Sequence, residues 1–276
     1  FFFGAFGPAL GMEDTTTTRV IFLAILTGIQ ALCNHFGIGL TAKLTDFSGY
    51  LIFATAIALT IVCLIAAPSY EFVRLVTFGN YSGEAGGSVW PQVSNAWVFM
   101  LGLLLPIYTI TGYDASAHTS EETRNAAMSV PVGMVMSVAW SLLFGWLMLS
   151  SFVLMLPSMD EAATKGWNVF FWAMDTQVNP TVKTALYLAI FISQFLCGLA
   201  TVTSVSRMIF AFSRDGGLPF SKALATVSPT YRSPVPAIWT GATLAVLFVW
   251  GSSVISIGAT PVYTIVVSCT VIFLFF

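Results

Sequence analysis

Long apolar runs, separated by shorter polar connections, dominate the pattern of hydrophobic and polar positions along the chain. A helix that crosses a membrane needs about 20 predominantly apolar residues. Runs of this kind predict seven spanning helices, the last cut short by the end of the chain: 20–40, 47–68, 96–112, 130–156, 184–206, 236–250 and from 261 onward. The pattern therefore predicts an all-α integral membrane fold.

Polar connections between these runs predict the orientation of the chain. Positive charge close to a span favours the cytoplasm. The densest basic group surrounds Arg214, so we expect loop 214–233 to be cytoplasmic. Loop 70–95 then faces outward, and it contains the glycosylation sequon Asn80-Tyr81-Ser82. Asn80 is therefore a candidate glycosylation site.

Composition excludes most soluble classes. Only 8% of the residues are charged and the mean hydropathy is +0.87, whereas a soluble domain carries about 25% charged residues. The ten lysines and arginines are scattered, so no basic face for nucleic acid is expected. The cysteines lie within apolar runs without a CxxC pair, which favours buried small side chains over a zinc or disulfide framework: Cys33, Cys63, Cys197 and Cys269.

The third apolar run contains residues that disfavour a continuous helix. Pro106 and Gly112 weaken a helix, and Asp114 is the acidic residue deepest in a predicted span. Such features are tolerated at membrane depth where the backbone lines a cavity, and broken helices hold the substrate in many secondary transporters. We therefore predict a discontinuous helix near residues 111–114 whose free backbone groups and side chains bind a ligand: Thr111, Gly112, Tyr113 and Asp114.

Ionisable residues follow this break at helical spacing. Asp114, His118 and Glu121 or Glu122 are spaced to share one helical face, which makes them candidates for an ion or proton pathway. A divalent metal site and a tight structural bend capped by Asp114 are the alternatives. No metal or organic cofactor is assigned; the candidate coupling ions are H⁺ and Na⁺.

Hydroxyl and aromatic residues add further candidates. Tyr108, one turn before Gly112, could stack on a substrate or close the site. The fifth span is dense in small and hydroxyl side chains, among them Thr201, Thr203 and Ser204. These could pack helices closely, or they could line a pathway and offer oxygen ligands to sodium. The sequence leaves both interpretations open.

Three segments carry a family resemblance. The stretch from Gly112 to Thr123, GYDASAHTSEET, resembles the sixth transmembrane helix of the amino acid–polyamine–organocation superfamily. FAFSRDGGLP at 210–219 resembles the end of the eighth helix, and SPVP at 233–236 resembles the lead into the ninth. FGNYSG at 78–83 and VWPQ at 89–92 are similar to the fungal GABA permease and choline permease branch, to which plant bidirectional amino acid transporters are related.

This resemblance implies a LeuT-like transporter with an inverted five-plus-five repeat. Residues 1–276 would form a single transmembrane domain, a fragment equivalent to helices four to ten of twelve, with the first three and last two absent. The implied function is secondary active transport of amino acids or small amines such as GABA or choline by alternating access. The fragment alone is expected to be inactive, because the first-helix half of the site is missing.

Residue roles also follow from the resemblance. Tyr108 and Thr201 occupy gate positions, and Asp114 occupies a position linked to proton or substrate sensing. Two features depart from parts of the superfamily. Arg124-Asn125-Ala126-Ala127 replaces the Asn-Pro that many members carry after the glutamate pair, and residues 47–68 lack the lysine of some proton-coupled members.

Two other classes are compatible with the hydropathy pattern. A seven-helix receptor would fit the number of spans but not the break at Gly112. An intramembrane enzyme would need a nucleophile with a base or a metal motif such as HExxH, and neither is present.

The expected partners are a small amino acid or amine and the lipid bilayer, with no nucleic acid. The plasma membrane is the expected location and the vacuolar membrane the alternative, while the oligomeric state is open.

Overall fold

A computed structural model describes residues 1–83, 92–257 and 260–262, together with the single residues 266 and 269. The chain forms two compact units. The first contains Phe1–Met12, Leu51–Thr111 and Val138–Phe191. The second contains Glu13–Tyr50, Gly112–Ser137 and Ile192–Phe276. Each unit is described by itself below.

Long apolar helices account for five of the predicted spans. Within the described part of the chain, five helices are long and apolar enough to cross a membrane: α2 (Thr16–His35), α3 (Ile38–Ala66), α7 (Ala126–Met155), α10 (Pro180–Arg214) and α12 (Val235–Val254). Shorter helices complete the set: α1 (Phe2–Leu10), α4 (Asn95–Gly102), α5 (Leu104–Thr109), α6 (Ala115–His118), α8 (Met159–Lys165), α9 (Val169–Gln177) and α11 (Ser221–Leu224). The all-α membrane fold predicted from hydropathy is confirmed.

The remaining two predicted spans differ from the expectation. Residues 96–112 form α4 and α5, which meet at Leu103 and end at Thr109, before the break. After α12, strand β1 (Ser256–Ile257) pairs antiparallel with β2 (Thr260–Pro261), where a helix was predicted to begin. Val262 N donates to Ile255 O at 3.0 Å, which extends this pairing. Most of the predicted seventh span lies outside the described residues.

The first unit is built around a core of aliphatic and aromatic side chains. Met155, Ala173 and Met174 are fully buried there, and the ring of Phe1 lies against the buried ring of Tyr187. At its surface, Arg74 donates to Leu156 O at 2.6 Å and to the Glu71 carboxylate at 2.7 Å. The hydrogen bond from Arg74 lowers the pKa of Glu71, so this carboxylate remains charged into the acidic range.

In the second unit, α2 begins with a hydroxyl cap. Thr15 lies before the first turn in an extended conformation, and Thr15 and Thr18 exchange side-chain to backbone hydrogen bonds of 3.2 and 3.0 Å. These bonds satisfy amides that the first helical turn leaves without partners. Asp14 pairs with Arg19, and that hydrogen bond lowers the pKa of Asp14. These contacts therefore stabilise the N-terminal end of α2.

Polar side chains join α2 to α10 inside the second unit. Gln30 Nε2 donates to Phe195 O at 2.9 Å, and Asn34 Nδ2 donates to Leu199 O at 3.3 Å. Thr203 Oγ1 donates to Asn34 Oδ1 at 2.7 Å. Buried polar groups have no water to bind in a bilayer, so hydrogen bonds between helices replace hydration. We refer to Gln30, Asn34 and Thr203 as the polar ladder.

Small residues allow these helices to approach closely. A Cβ atom on Gly198 would collide with Nε2 of Gln30. A Cβ atom on Gly241 of α12 would lie 3.2 Å from Val205 and from Ile209 of α10. Ala31, Ile238 and other apolar side chains fill the contact between α2 and α12. Glycine is therefore part of the packing of α10 with both neighbours.

The polar ladder predicts energetic coupling between Asn34 and Thr203. Asn34→Leu and Thr203→Val should each lower stability in detergent, and the double variant should lose less than the sum, with a coupling energy of roughly 0.6–1.7 kcal/mol. Denaturant unfolding of the four proteins measures this value. Thr60→Val is the matched control, because its hydroxyl donates to Ala56 O in its own helix. Strictly additive effects would contradict the ladder.

The close approach at Gly198 makes a second prediction. Gly198→Ala should lower the free energy of unfolding by about 1–3 kcal/mol, because the added methyl group displaces Gln30. Gly28→Ala on α2 is the control, since a Cβ atom at that position would have no neighbour within 4 Å. That change should be neutral or stabilising by up to about 1 kcal/mol. Equal effects of the two substitutions would show that Gly198 is not a contact point.

Candidate functional site

The predicted break in the third apolar run is present in the structure. Helix α5 ends at Thr109, and Thr111 N bonds to Tyr108 O at 3.0 Å in a tighter turn. Gly112 follows with a φ of +93°, a conformation that L side chains rarely adopt. Helical bonding resumes when Ala115 N reaches Gly112 O at 3.1 Å. The positive φ of this glycine therefore interrupts regular helical bonding between α5 and α6.

Asp114 and His118 form a pair after this break. Oδ2 of Asp114 lies 3.3 Å from Nε2 of His118, one helical turn away. Both side chains are partly exposed. Asp114 occupies the N-cap position of α6 without a side-chain cap bond, so its carboxylate faces His118 instead of closing the helix. This geometry disfavours the interpretation of Asp114 as a structural cap.

Glu121 lies elsewhere than the spacing predicted. Helix α6 ends at His118, and Ser120–Glu122 forms a separate 3₁₀ turn. Glu121 accepts hydrogen bonds of 3.1 and 3.3 Å from Nη1 of Arg214 at the end of α10. The prediction that Glu121 shares a helical face with Asp114 is therefore wrong, because α6 ends at His118, before Glu121. The side chain of Glu122 lies outside the described part of the structure.

Before the break, the candidates belong to the first unit. The ring of Tyr108 on α5 is 56% exposed. Thr111 Oγ1 donates weakly to Ile107 O at 3.5 Å. Gly145 of α7 approaches Thr109, whose methyl group would lie 3.0 Å from an added Cβ. This contact supports the last turn of α5 and leaves the face of Tyr108 uncovered.

The hydroxyl residues of α10 divide between two faces. Thr203 is buried and belongs to the polar ladder, which favours its packing role. Thr201 is exposed and donates to Cys197 O at 3.1 Å, while Ser204 is partly buried and donates to Ala200 O at 3.2 Å. Thr201 and Thr203 are thus only two positions apart, yet the hydroxyl of Thr203 is structural and that of Thr201 is accessible.

Thr201 and Ser204 continue a stripe that the sequence reasoning missed. Gln194 and Cys197 are also exposed on α10, and the four positions follow at intervals of three or four residues. We call Gln194, Cys197, Thr201 and Ser204 the polar stripe. Polar side chains avoid lipid and usually face a water-filled path or protein. A search of residues 184–206 for polar side chains that recur every 3.6 residues would have predicted the polar stripe.

Asn80 is held in a local network. Its Nδ2 donates to Val93 O at 3.0 Å and to Asn95 Oδ1 at 2.8 Å. Its Oδ1 accepts a 2.6 Å bond from Ser82 Oγ. The sequon residue is exposed, yet both amide hydrogens have partners. The side chain thereby joins the two ends of a loop, and of the VWPQ motif in that loop only Gln92 lies within the described residues.

Metal-binding side chains are dispersed. Among the described residues, no group of three or more His, Cys, Asp or Glu side chains is placed to hold a metal ion. The Asp114–His118 pair supplies two ligand residues only. The ionisable chemistry that the break presents is therefore a carboxylate beside an imidazole.

Comparison with known proteins gives a consistent result. The family model described as amino acid permease matches residues 1–276. The amino-acid permease BAT1 of Arabidopsis thaliana is 32% identical over 259 residues, which cover 90% of this chain and 48% of that protein. The GABA-specific permease of Saccharomyces cerevisiae is 31% identical over 221 residues, or 76% of this chain and 37% of that protein. The chain thus spans about half, or less, of the length of these relatives.

The match extends from the first residue to the last, so it includes the long apolar helices and the break. It confirms the resemblance to amino acid–polyamine–organocation transporters and agrees with a multi-pass membrane protein. The related proteins are permeases, which disfavours the receptor and enzyme alternatives. On this basis, the chain belongs to the amino acid permease family.

Proposed function

We propose that this protein carries amino acids or related small amines across a membrane by alternating access. The observation that carries the proposal is the break at Gly112, where an apolar helix ends and a partly buried carboxylate follows at Asp114. The related permeases of plants and yeast support the solute class. The plasma membrane is the proposed location, and the vacuolar membrane is the alternative.

Substrate recognition would use the backbone and side chains of the break. A zwitterion or amine must have its charge matched inside the membrane, because an unpaired charge in an apolar medium is costly. Helix ends offer partial charges through unpaired amides and carbonyls. The Asp114 carboxylate adds a full negative charge for an ammonium group. In the first unit, the exposed ring of Tyr108 is a separate candidate contact for an apolar group.

The polar stripe of α10 would form part of the aqueous path. Its four side chains are accessible, and they stand opposite the buried face that packs against α2. Thr201 is the proposed gate position because its side chain is the exposed hydroxyl nearest the middle of the stripe. Alternating access would open and close this path as the helices rearrange.

Protons are the proposed coupling ion. Asp114 and His118 form a carboxylate–imidazole pair, and such pairs transfer protons in pumps and transporters. Sodium is the alternative coupling ion, because the hydroxyl oxygens of Thr201 and Ser204 keep acceptor lone pairs while their hydrogens bond within α10. In this proposal, protonation of the pair changes the charge that the substrate meets at the break.

Asp114→Asn tests the role of the carboxylate. The full reading frame is expressed in a transport-deficient cell, and uptake of labelled GABA, choline and a neutral amino acid is measured at several pH values. The variant should lose at least about tenfold in uptake, a change of about 1.4 kcal/mol, together with the pH dependence. Asp160→Asn, on the exposed first turn of α8, is the control and should transport normally. No uptake of any solute by the unaltered protein at the membrane would overturn the transport proposal.

Thr201→Trp tests the path along α10. A large ring at this accessible position should obstruct the solute and reduce uptake by at least about tenfold at unchanged surface expression. Leu188→Trp is the matched control, because Leu188 is also exposed on α10 but belongs to an apolar surface. If both variants transport like the unaltered protein, Thr201 does not line the path.

A further inference from the structure

His35 occupies a crowded corner at the end of α2. Its ring nitrogen Nδ1 lies 3.2 Å from the indole Nε1 of Trp239 in α12. Its carbonyl accepts a 2.9 Å bond from Ser233 Oγ. The ring of Tyr231 lies 4.7 Å from the His35 ring, centroid to centroid. One residue therefore contacts the start of α12 and the loop that leads into it.

The surrounding backbone shows that this corner is closely packed. Gly37 has a φ of +103°, and a Cβ atom there would lie 2.6 Å from Tyr231 O. Arg232, beside Tyr231, also has a positive φ, of 52°. Non-glycine residues adopt this region infrequently and at a cost in energy. The loop is thus held against the end of α2 in a shape that its neighbours impose.

The hydrogen bond between the rings fixes the charge of His35. An indole N–H can only donate, so Nδ1 of His35 must accept and cannot carry a proton. The bond therefore requires the neutral imidazole. Histidine is the side chain that changes charge between about pH 5 and 8. A proton added to Nδ1 would face the N–H of Trp239 and break the bond.

Two other contacts at this corner favour the charged ring. His35 is the last residue of α2, where the helix dipole favours a cation. A cation within about 6 Å of an aromatic ring is attracted to its face, which suits Tyr231. Protonation would therefore exchange the bond to Trp239 for a stronger contact with Tyr231.

We propose that His35 is a proton-sensitive latch between α2 and α12. In its neutral form the ring holds Trp239 and fixes the start of α12 beside α2. In its protonated form the ring releases Trp239 while it stays in contact with Tyr231. The latch is closed at higher pH and opens as the pH falls, independently of whether the proposed transport function is correct.

The charged and titratable groups on the neighbouring elements are few. Tyr231 and Arg232 lie on the loop, and α12 contains no acidic or basic residue. Lys43 and Asp46 follow in α3, Lys222 lies on α11, and Arg19 lies at the opposite end of α2. None of the ion pairs found in the described part of the chain includes His35. The latch thus depends on the imidazole proton and not on a carboxylate partner.

The indole N–H of Trp239 reports directly on this bond. In ¹⁵N-labelled protein in detergent micelles, the indole resonance that disappears in Trp239→Phe is followed between pH 8 and pH 5. We expect it to move upfield as the pH falls. At pH 5, its exchange with deuterated water should be roughly fivefold faster than in His35→Asn, the factor that corresponds to a hydrogen bond of about 1 kcal/mol.

The chain provides matched controls, because it contains two histidines only. His35→Asn places an amide oxygen near the position of Nδ1 and should keep the Trp239 resonance in its bonded position at every pH. His118→Gln removes the other titrating imidazole and should leave the transition of Trp239 unchanged. Should His35→Asn fail to fold, the comparison of the unaltered protein with His118→Gln still locates the transition.

Two results would overturn the latch. One is a Trp239 resonance that does not move between pH 8 and pH 5 in the unaltered protein. The other is a transition that survives in His35→Asn or disappears in His118→Gln.

Discussion

In the bilayer core no water is present, so a polar side chain must form its hydrogen bonds within the protein. The polar ladder satisfies this constraint in the second unit. Gln30 and Asn34 bond to carbonyls of α10, and Thr203 returns a bond to Asn34. The bonds require close approach, which Gly198 permits. The rotation of α10 about its own axis is thereby fixed.

That rotation determines which side of α10 is accessible. Thr203 and Ser206 are buried, whereas Gln194, Cys197 and Thr201 are exposed and Ser204 is partly buried. The hydroxyls of this second face, those of Thr201 and Ser204, bond to carbonyls of α10 itself and not to a neighbouring helix. The ladder explains why this second face points away from α2.

The same constraint gives the break its chemistry. Between Thr109 and Ala115 the chain leaves regular helical bonding at Gly112, and the adjacent carboxylate of Asp114 pairs with His118. At the end of α2, Nδ1 of the neutral His35 ring accepts a hydrogen bond from the indole N–H of Trp239. A proton added to Nδ1 would remove that bond. The two histidines therefore make different contacts, one with a carboxylate within a turn and the other with an indole between helices.

The sequence by itself determined the apolar helices and the position of the break, because hydropathy, glycine and a charge within a span act locally. It also identified the family, since GYDASAHTSEET is a contiguous motif. Only the tertiary structure decided the partners of individual side chains. Thr203 bonds across to α2 while Thr201 is exposed, and Glu121 pairs with Arg214 instead of extending the face of Asp114. These outcomes depend on helix rotation and on the end of α6 at His118, which distant neighbours and local turn geometry set together.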